Sequence, residues 1–205
     1  HRENPGLAGQ AGMTDDARQI VRETLEDHRT SLAQFERDGI EIVGRVAEMI
    51  TQSLRHGGTL YLCGNGGSAA DAQHIAGEFV GRFRTERRAL PAVALSTDTS
   101  VLTCVANDYD YHSVFARQVE ALVKKDDVLW AFSTSGTSAN VLKAAEAARR
   151  KGARVIAFTG RSNSPLEGMA DLCLCAEARA TARSQEIHQL AYHIVCDLVE
   201  RSFTE

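Results

Sequence analysis

No run of apolar residues in the sequence is long enough to cross a membrane, and no stretch is built like a signal peptide. We therefore expect a cytoplasmic protein with no membrane partner. The five cysteines (Cys63, Cys104, Cys173, Cys175, Cys196) are odd in number and form no C-x-x-C pair. They suit reduced thiols in the core better than a disulfide framework or a thiolate zinc site. An excess of positive charge is also missing: the net charge is −4, so nothing draws the chain towards nucleic acid. Aromatics are few, at 6%. What remains is the composition of a soluble α/β protein, 205 residues long, 43% apolar and 24% charged. One domain over residues 13–205 is expected, including helices within 14–56. Residues 1–12 (HRENPGLAGQAG) have no periodicity and are expected to be an added or disordered leader.

One stretch organises the rest. Residues 59–78 (TLYLCGNGGSAADAQHIAGE) open as a short buried strand, pass through a glycine turn and continue as a helix. Glycines let the backbone approach a ligand closely. The helix start beyond them offers free N–H groups and a positive dipole end, suited to a phosphate or a polar sugar. Within the helix, His74 and Glu78 share a face, and Asp71 lies on the same stripe.

Upstream, Thr14 followed by two aspartates reads as a helix start. Val21, Leu25, His28, Leu32 and Phe35 form a narrow heptad-like stripe, then Gly39 interrupts. Ile40, Val43, Ala47, Ile50 and Leu54 carry a second helix to His56-Gly57-Gly58. Because these helices precede the sheet segments instead of alternating with them, we expect them to pack against a second subunit. From residue 59 onward, strand candidates at 59–63, 92–95, 128–132, 154–158 and 171–175 alternate with helices. The helix over 139–151 should stop at Gly152. Such alternation predicts a doubly wound five-stranded parallel sheet flanked by helices, with ligands beyond the carboxyl ends of the strands.

A second chemical loop, Ser133-Thr134-Ser135-Gly136-Thr137-Ser138, follows a strand and precedes a helix. Its hydroxyls exceed what capping requires and suit a phosphate cradle. It has no Walker lysine, so nucleotide hydrolysis is unsupported. Asn107-Asp108 reads by itself as a turn or helix end. Arg82, Arg84, Arg87 and Arg88 read as a solvated basic surface. In the last helix, over 181–203, Ile187, Leu190, Ala191, Ile194, Val195 and Leu198 are expected to form the core face. Opposite them, Gln185, Gln189, His193 and Cys196 form an uncharged polar stripe that calls for a covering partner. Gln185 and His193 lie eight residues apart, about 12 Å along a helix, so spacing alone gives no metal site.

Four motifs in register change that reading: residues 64–78, Asn107-Asp108, residues 133–138, and TARSQEIH at 181–188 followed by His193. Together they resemble the sugar isomerase (SIS) domain, and more narrowly the sedoheptulose 7-phosphate isomerase family, from about residue 14 to the end. The resemblance implies a homotetramer with active sites between subunits. The implied reaction converts sedoheptulose 7-phosphate to D-glycero-D-manno-heptose 7-phosphate, towards the nucleotide-activated heptoses of lipopolysaccharide or capsule. The implied substrate contacts are Asn65, Gly66, Gly67, Glu78, Asn107, Asp108, Ser133, Thr134, Ser135, Ser138 and Gln185. His74, Glu78, Gln185 and His193 match the ligands of one zinc per subunit, and Glu78 and His193 match the acid–base pair. A carboxylate held by zinc is a weaker base, so the two roles given to Glu78 pull against each other. The alternatives are another phosphosugar isomerase and a non-catalytic SIS protein of the kind that associates with the replication initiator. The latter is expected to lack the acid–base pair.

Overall fold

The computed structural model describes residues 13–204, so the expected leader at 1–12 lies outside the described residues. Two helices, α1 (Asp15–Asp38) and α2 (Ile40–Arg55), lead into β1 (Leu60–Cys63). Then come α3 (Gly67–Val80), β2 (Ala92–Ala94), α4 (Thr99–Asp108), a 3₁₀ turn (Tyr111–Ser113) and α5 (Ala116–Leu122). The chain continues through β3 (Val128–Ser133), α6 (Ala139–Arg150), β4 (Arg154–Thr159), α7 (Pro165–Met169), β5 (Leu172–Cys175) and α8 (Thr181–Arg201). Local signals act as the sequence predicts. The Thr14 hydroxyl accepts from the Ala17 N–H at the start of α1. Gly152, at φ +77°, turns the chain out of α6.

All strand pairs are parallel, in the order β2-β1-β3-β4-β5. The direction of winding reverses between β1 and β3, where crossovers leave to opposite sides and open a crevice. The glycine turn follows β1 and the serine loop follows β3, so both line that crevice.

Alternate strand residues face opposite layers. Leu60, Leu62, Trp130, Phe132, Ile156 and Phe158 pack under α2, α3, α8 and the end of α1. Tyr61, Cys63, Leu129, Ala131, Val155 and Ala157 face the layer of α4 to α7.

Several expectations change here. Helix α2 buries Val43, Ala47, Ile50 and Leu54 in its own sheet's core, and only Ile40 of the predicted stripe is exposed. In α1, Phe35 is buried while Val21 and Leu25 stand in the open, because the helix packs on α8 and α2 through its C-terminal part only. Helix α8 packs over the sheet, flanked by α2 and α1 on one side and α3 on the other. Ile187, Ala191 and Val195 are therefore core residues, as expected, and so is Cys196 from the polar stripe. Leu190, Ile194 and Leu198, predicted as core, are instead 37–38% exposed on the face turned away from the sheet. All five thiols are free, but Cys104 is exposed and Cys173 and Cys175 are half-buried, so only Cys63 and Cys196 are core thiols.

His188 of α8 is fully buried against Phe132 and Phe158. Its Nε2 lies 3.0 Å from the Thr159 carbonyl oxygen. A carbonyl only accepts, so Nε2 carries the ring proton and Nδ1, buried and without a hydrogen-bond partner, stays bare. Burial pushes this imidazole down from 6.5 to about 4, against the smaller opposing pull of the Thr159 bond. Between those values the unfolded chain binds the proton and the folded chain does not, so stability falls as pH drops from 6.5 towards 4. The gap corresponds to roughly 3 kcal/mol. Urea unfolding should therefore show wild type losing stability between pH 7 and pH 4.5 by more than His188→Leu does. Equal losses in the two proteins would contradict this account.

Candidate active site

The glycine turn is shaped by contact. Gly66 sits at φ +57°, where side chains are strained. A Cβ on Gly67 would overlap the Gln185 side-chain amide. This close approach seats the start of α8 on the start of α3. Asn65 is held by a reciprocal amide pair with buried Asn140: Asn65 Nδ2 donates to Asn140 Oδ1 at 2.9 Å, and Asn140 Nδ2 donates to Asn65 Oδ1 at 2.8 Å. The Tyr111 hydroxyl donates to Asn65 Oδ1 at 3.2 Å. Asn140 lies in the first turn of α6, so this pair couples the glycine turn to the serine loop across the crevice.

In the serine loop, Gly136 adopts φ +64°, and a Cβ there would run into Ser164. The Gly160 N–H donates to the Thr134 carbonyl at 3.0 Å and ties the loop to the end of β4. Ser138 occupies the capping position of α6, yet its hydroxyl makes no cap hydrogen bond. It lies 2.9 Å from the Ser133 hydroxyl instead. Ser135 Oγ accepts from the Thr137 N–H at 3.2 Å and from the Thr137 hydroxyl at 3.0 Å. The loop thus gathers hydroxyls at a helix N-terminus beyond any capping use, which is the make-up of an anion cradle.

A second cluster lies on α3 and α8. His74 Nε2 is 3.0 Å from Glu78 Oε1, and His74 Nδ1 is 3.0 Å from the Tyr192 hydroxyl. That hydroxyl also lies 3.4 Å from Asp71 Oδ1. The His193 ring centre is 5.0 Å from that of His74 and stacks on Phe83 at 5.7 Å. Burial, and then the nearby His74, push His193 below 6.5 against the opposing pull of Glu78. Burial first and the charge of Asp71 second push the Tyr192 phenol up, so it remains a protonated donor. Glu78 is partly sheltered, its side chain 21% exposed. The cluster thus sets the Glu78 carboxyl beside the His74 imidazole, with the His193 ring next to it.

The structure brings His74, Glu78 and His193 together, and separately brings Asn65, Gly66, Gly67 and Gln185 together. Ser133, Thr134, Ser135 and Ser138 share their own loop. Asn107 and Asp108 are exposed at the end of α4, where Asn107 Nδ2 donates to Asp108 Oδ1 at 2.9 Å. Gln185 lies level with Gly67, not with the His74 cluster, because α3 and α8 run side by side in the same direction. Arg87, expected on a solvated surface, is buried with its side chain 2% exposed. Tyr192 and Asn140 escaped the sequence reading. Tyr192 could have been found from its 4-3-4 spacing with Gln185, Gln189 and Cys196, which puts it in the middle of the polar stripe.

Among the described residues, no three His, Cys, Asp or Glu side chains stand close enough to hold a metal as they are. The donor chemistry nevertheless fits zinc. An imidazole nitrogen and a carboxylate oxygen already lie side by side, and Tyr192 holds the far nitrogen of His74 as an outer-sphere partner does.

The SIS domain family matches residues 25–160. A phosphoheptose isomerase of Roseiflexus sp. (strain RS-1) is 56% identical over 160 residues, which span 78% of this chain and 81% of that protein. The solved phosphoheptose isomerase of Neisseria gonorrhoeae is 41% identical with a TM-score of 0.85, covering 90% of this chain and 98% of that one. The phosphoheptose isomerase structure from Francisella tularensis gives 33% identity and a TM-score of 0.87, over 92% and 100%. By sequence and by fold alike, this chain belongs to the phosphoheptose isomerase family of SIS-domain proteins.

Proposed function

We propose that the protein interconverts sedoheptulose 7-phosphate and D-glycero-D-manno-heptose 7-phosphate, in the cytoplasm, as an early step towards nucleotide-activated heptose for lipopolysaccharide or capsule. The observation that carries this reading is the Glu78 carboxylate set beside His74 and His193, in a chain of this family. Moving a carbonyl from C2 to C1 requires a base that takes a proton from C1 and returns it at C2 through an enediol. Glu78 is that base, and His193 serves the oxygen protons. Ser133, Thr134, Ser135 and Ser138 grip the phosphate at the head of α6. Asn65, Gly66, Gly67, Asn107, Asp108 and Gln185 contact the sugar, with Asn65 held in place by Asn140. Phosphate binding supplies the energy that orients the reacting carbons.

Zinc, one per subunit, would be held by His74, Glu78 and His193, which the fold brings together, and when bound it would polarise the sugar carbonyl; Gln185, the fourth residue of the implied set, is seated against Gly67 instead. Tyr192 orients His74 for either role.

The working site is built between subunits of a homotetramer. Helix α3 runs back from the carboxyl edge of the sheet, and Glu78 lies eleven residues beyond Gly67, about 16 Å along it. That offset along α3 favours a sugar held by its phosphate at one chain's serine loop reaching a neighbouring chain's Glu78 rather than its own. The exposed apolar residues Leu190, Ile194 and Leu198, on the helix that carries His193, supply a surface for the neighbouring chain that completes the site.

Glu78→Gln keeps the shape and removes the base. Its kcat should fall at least about 100-fold with a smaller change in KM, and near-normal turnover would sink the base assignment. Chelation should abolish turnover of sedoheptulose 7-phosphate and zinc should restore it. Full activity in protein shown by elemental analysis to be metal-free would contradict the zinc assignment.

A further inference from the structure

Past the end of α3, the chain makes an arm that returns to β2, and a buried ion pair lies inside its bend. The side chains of Arg87 and Glu200 are each 2% exposed. Glu200, in the last turn of α8, accepts three successive backbone N–H groups of the arm: Phe83 at 2.8 Å, Arg84 at 2.7 Å and Thr85 at 2.8 Å. Consecutive amides converging on one carboxylate form an anion nest, filled here from within the chain. Burial alone would raise the Glu200 carboxyl. The arm's amides and Arg87 outweigh it and hold the group below its ordinary value.

Arg87 faces the other way. Its Nη2 donates to the Glu78 carbonyl at 2.7 Å. Its Nη1 is shared among the carbonyls of Phe79 at 3.0 Å, Gly81 at 3.2 Å and Arg88 at 2.9 Å. Its Nε stands 3.4 Å from Glu200 Oε1, close enough for an ion pair but not aligned as a hydrogen bond. The guanidinium therefore caps the negative end of α3 in the turn that carries Glu78. The same arm bears Phe83, whose ring stacks on His193. One buried pair thus touches the backbone of the proposed base on one side and the support of its partner imidazole on the other.

We propose that Arg87 and Glu200 are positioning residues for the isomerisation, a clasp that fixes Glu78 and His193 relative to each other. This rests on the acid–base reading given above. A buried ion pair is a poor source of net stability, and a simple helix stop would need neither a charge nor four carbonyl contacts. A planar, forked guanidinium is the side chain able to reach several carbonyls at once; lysine keeps the charge but not the fork.

The test measures kcat and KM for sedoheptulose 7-phosphate in Arg87→Lys, Glu200→Gln, the double variant and Glu78→Gln, each at a temperature where circular dichroism shows it folded. Both single clasp variants should lose at least about tenfold in kcat while KM stays within about twofold, because misplacing a reacting group costs rate and the substrate grip lies on other loops. The double variant should lose little more than the worse single one, since the two residues act as one device. Wild-type kcat in folded clasp variants, with only Tm lowered, would show a purely structural role and overturn the proposal. Fully additive losses would overturn the single-device claim. If Glu200→Gln does not fold, Arg87→Lys, which keeps the ion pair, decides the matter. Glu78→Gln separates the two layers: an inactive Glu78→Gln beside fully active clasp variants overturns the clasp alone. An active Glu78→Gln overturns the base assignment, and the clasp's positioning role with it.

Discussion

The chemistry of this protein depends on the packing of α3 against α8. Both helices start at the carboxyl edge of the sheet and descend side by side, so their residues meet level by level. Gly67 receives Gln185, His74 meets Tyr192 and His193, and the arm beyond α3 is held by Glu200. The absence of a Cβ at Gly67 sets how close the helices come at the top, and the Glu200–Arg87 pair sets it at the bottom. Everything with acid–base or metal-binding character hangs between those two fastenings.

That arrangement separates two tasks. In the proposed reaction, phosphate recognition falls to the crevice between β1 and β3, where strand order reverses and helix N-termini line the opening. Proton transfer is assigned to the flank of the domain, further down α3. A fold of this type offers the first location by its topology alone. The second exists because α3 and α8 carry polar stripes down their length, next to an apolar surface that a neighbouring chain can cover.

Much of this was legible in the sequence. The five strands, the glycine turn and the serine loop announce themselves through short apolar runs that end in Gly and Ser, and each lies where its pattern puts it. His74 and Glu78 follow from a four-residue spacing. What misled was the assumption that every apolar row of α8 faces inward: Leu190, Ile194 and Leu198 are as apolar as Ile187 and Val195, and only the placement of the sheet, α2 and α3 around α8 decides which row is buried. Arg87 was missed for a similar reason. Four nearby arginines look alike in sequence, and its burial is decided by Glu200, more than a hundred residues away. Asn140 reads as an ordinary residue in a helix's first turn until β1 brings Asn65 against it.

In the proposed assembly, one chain's phosphate loop serves another chain's Glu78. The most direct measurement is complementation between two inactive variants: Ser135→Glu, whose carboxylate repels the phosphate, and Glu78→Gln, which lacks the base. Each is inactive by itself, and the two are unfolded and refolded together so that mixed oligomers form. If sites are shared between chains, some sites in the mixed oligomers inherit an intact loop from one chain and an intact base from the other, and turnover returns. If each chain holds a complete site, every site in the mixture carries one defect, and the mixture stays as inactive as its parts.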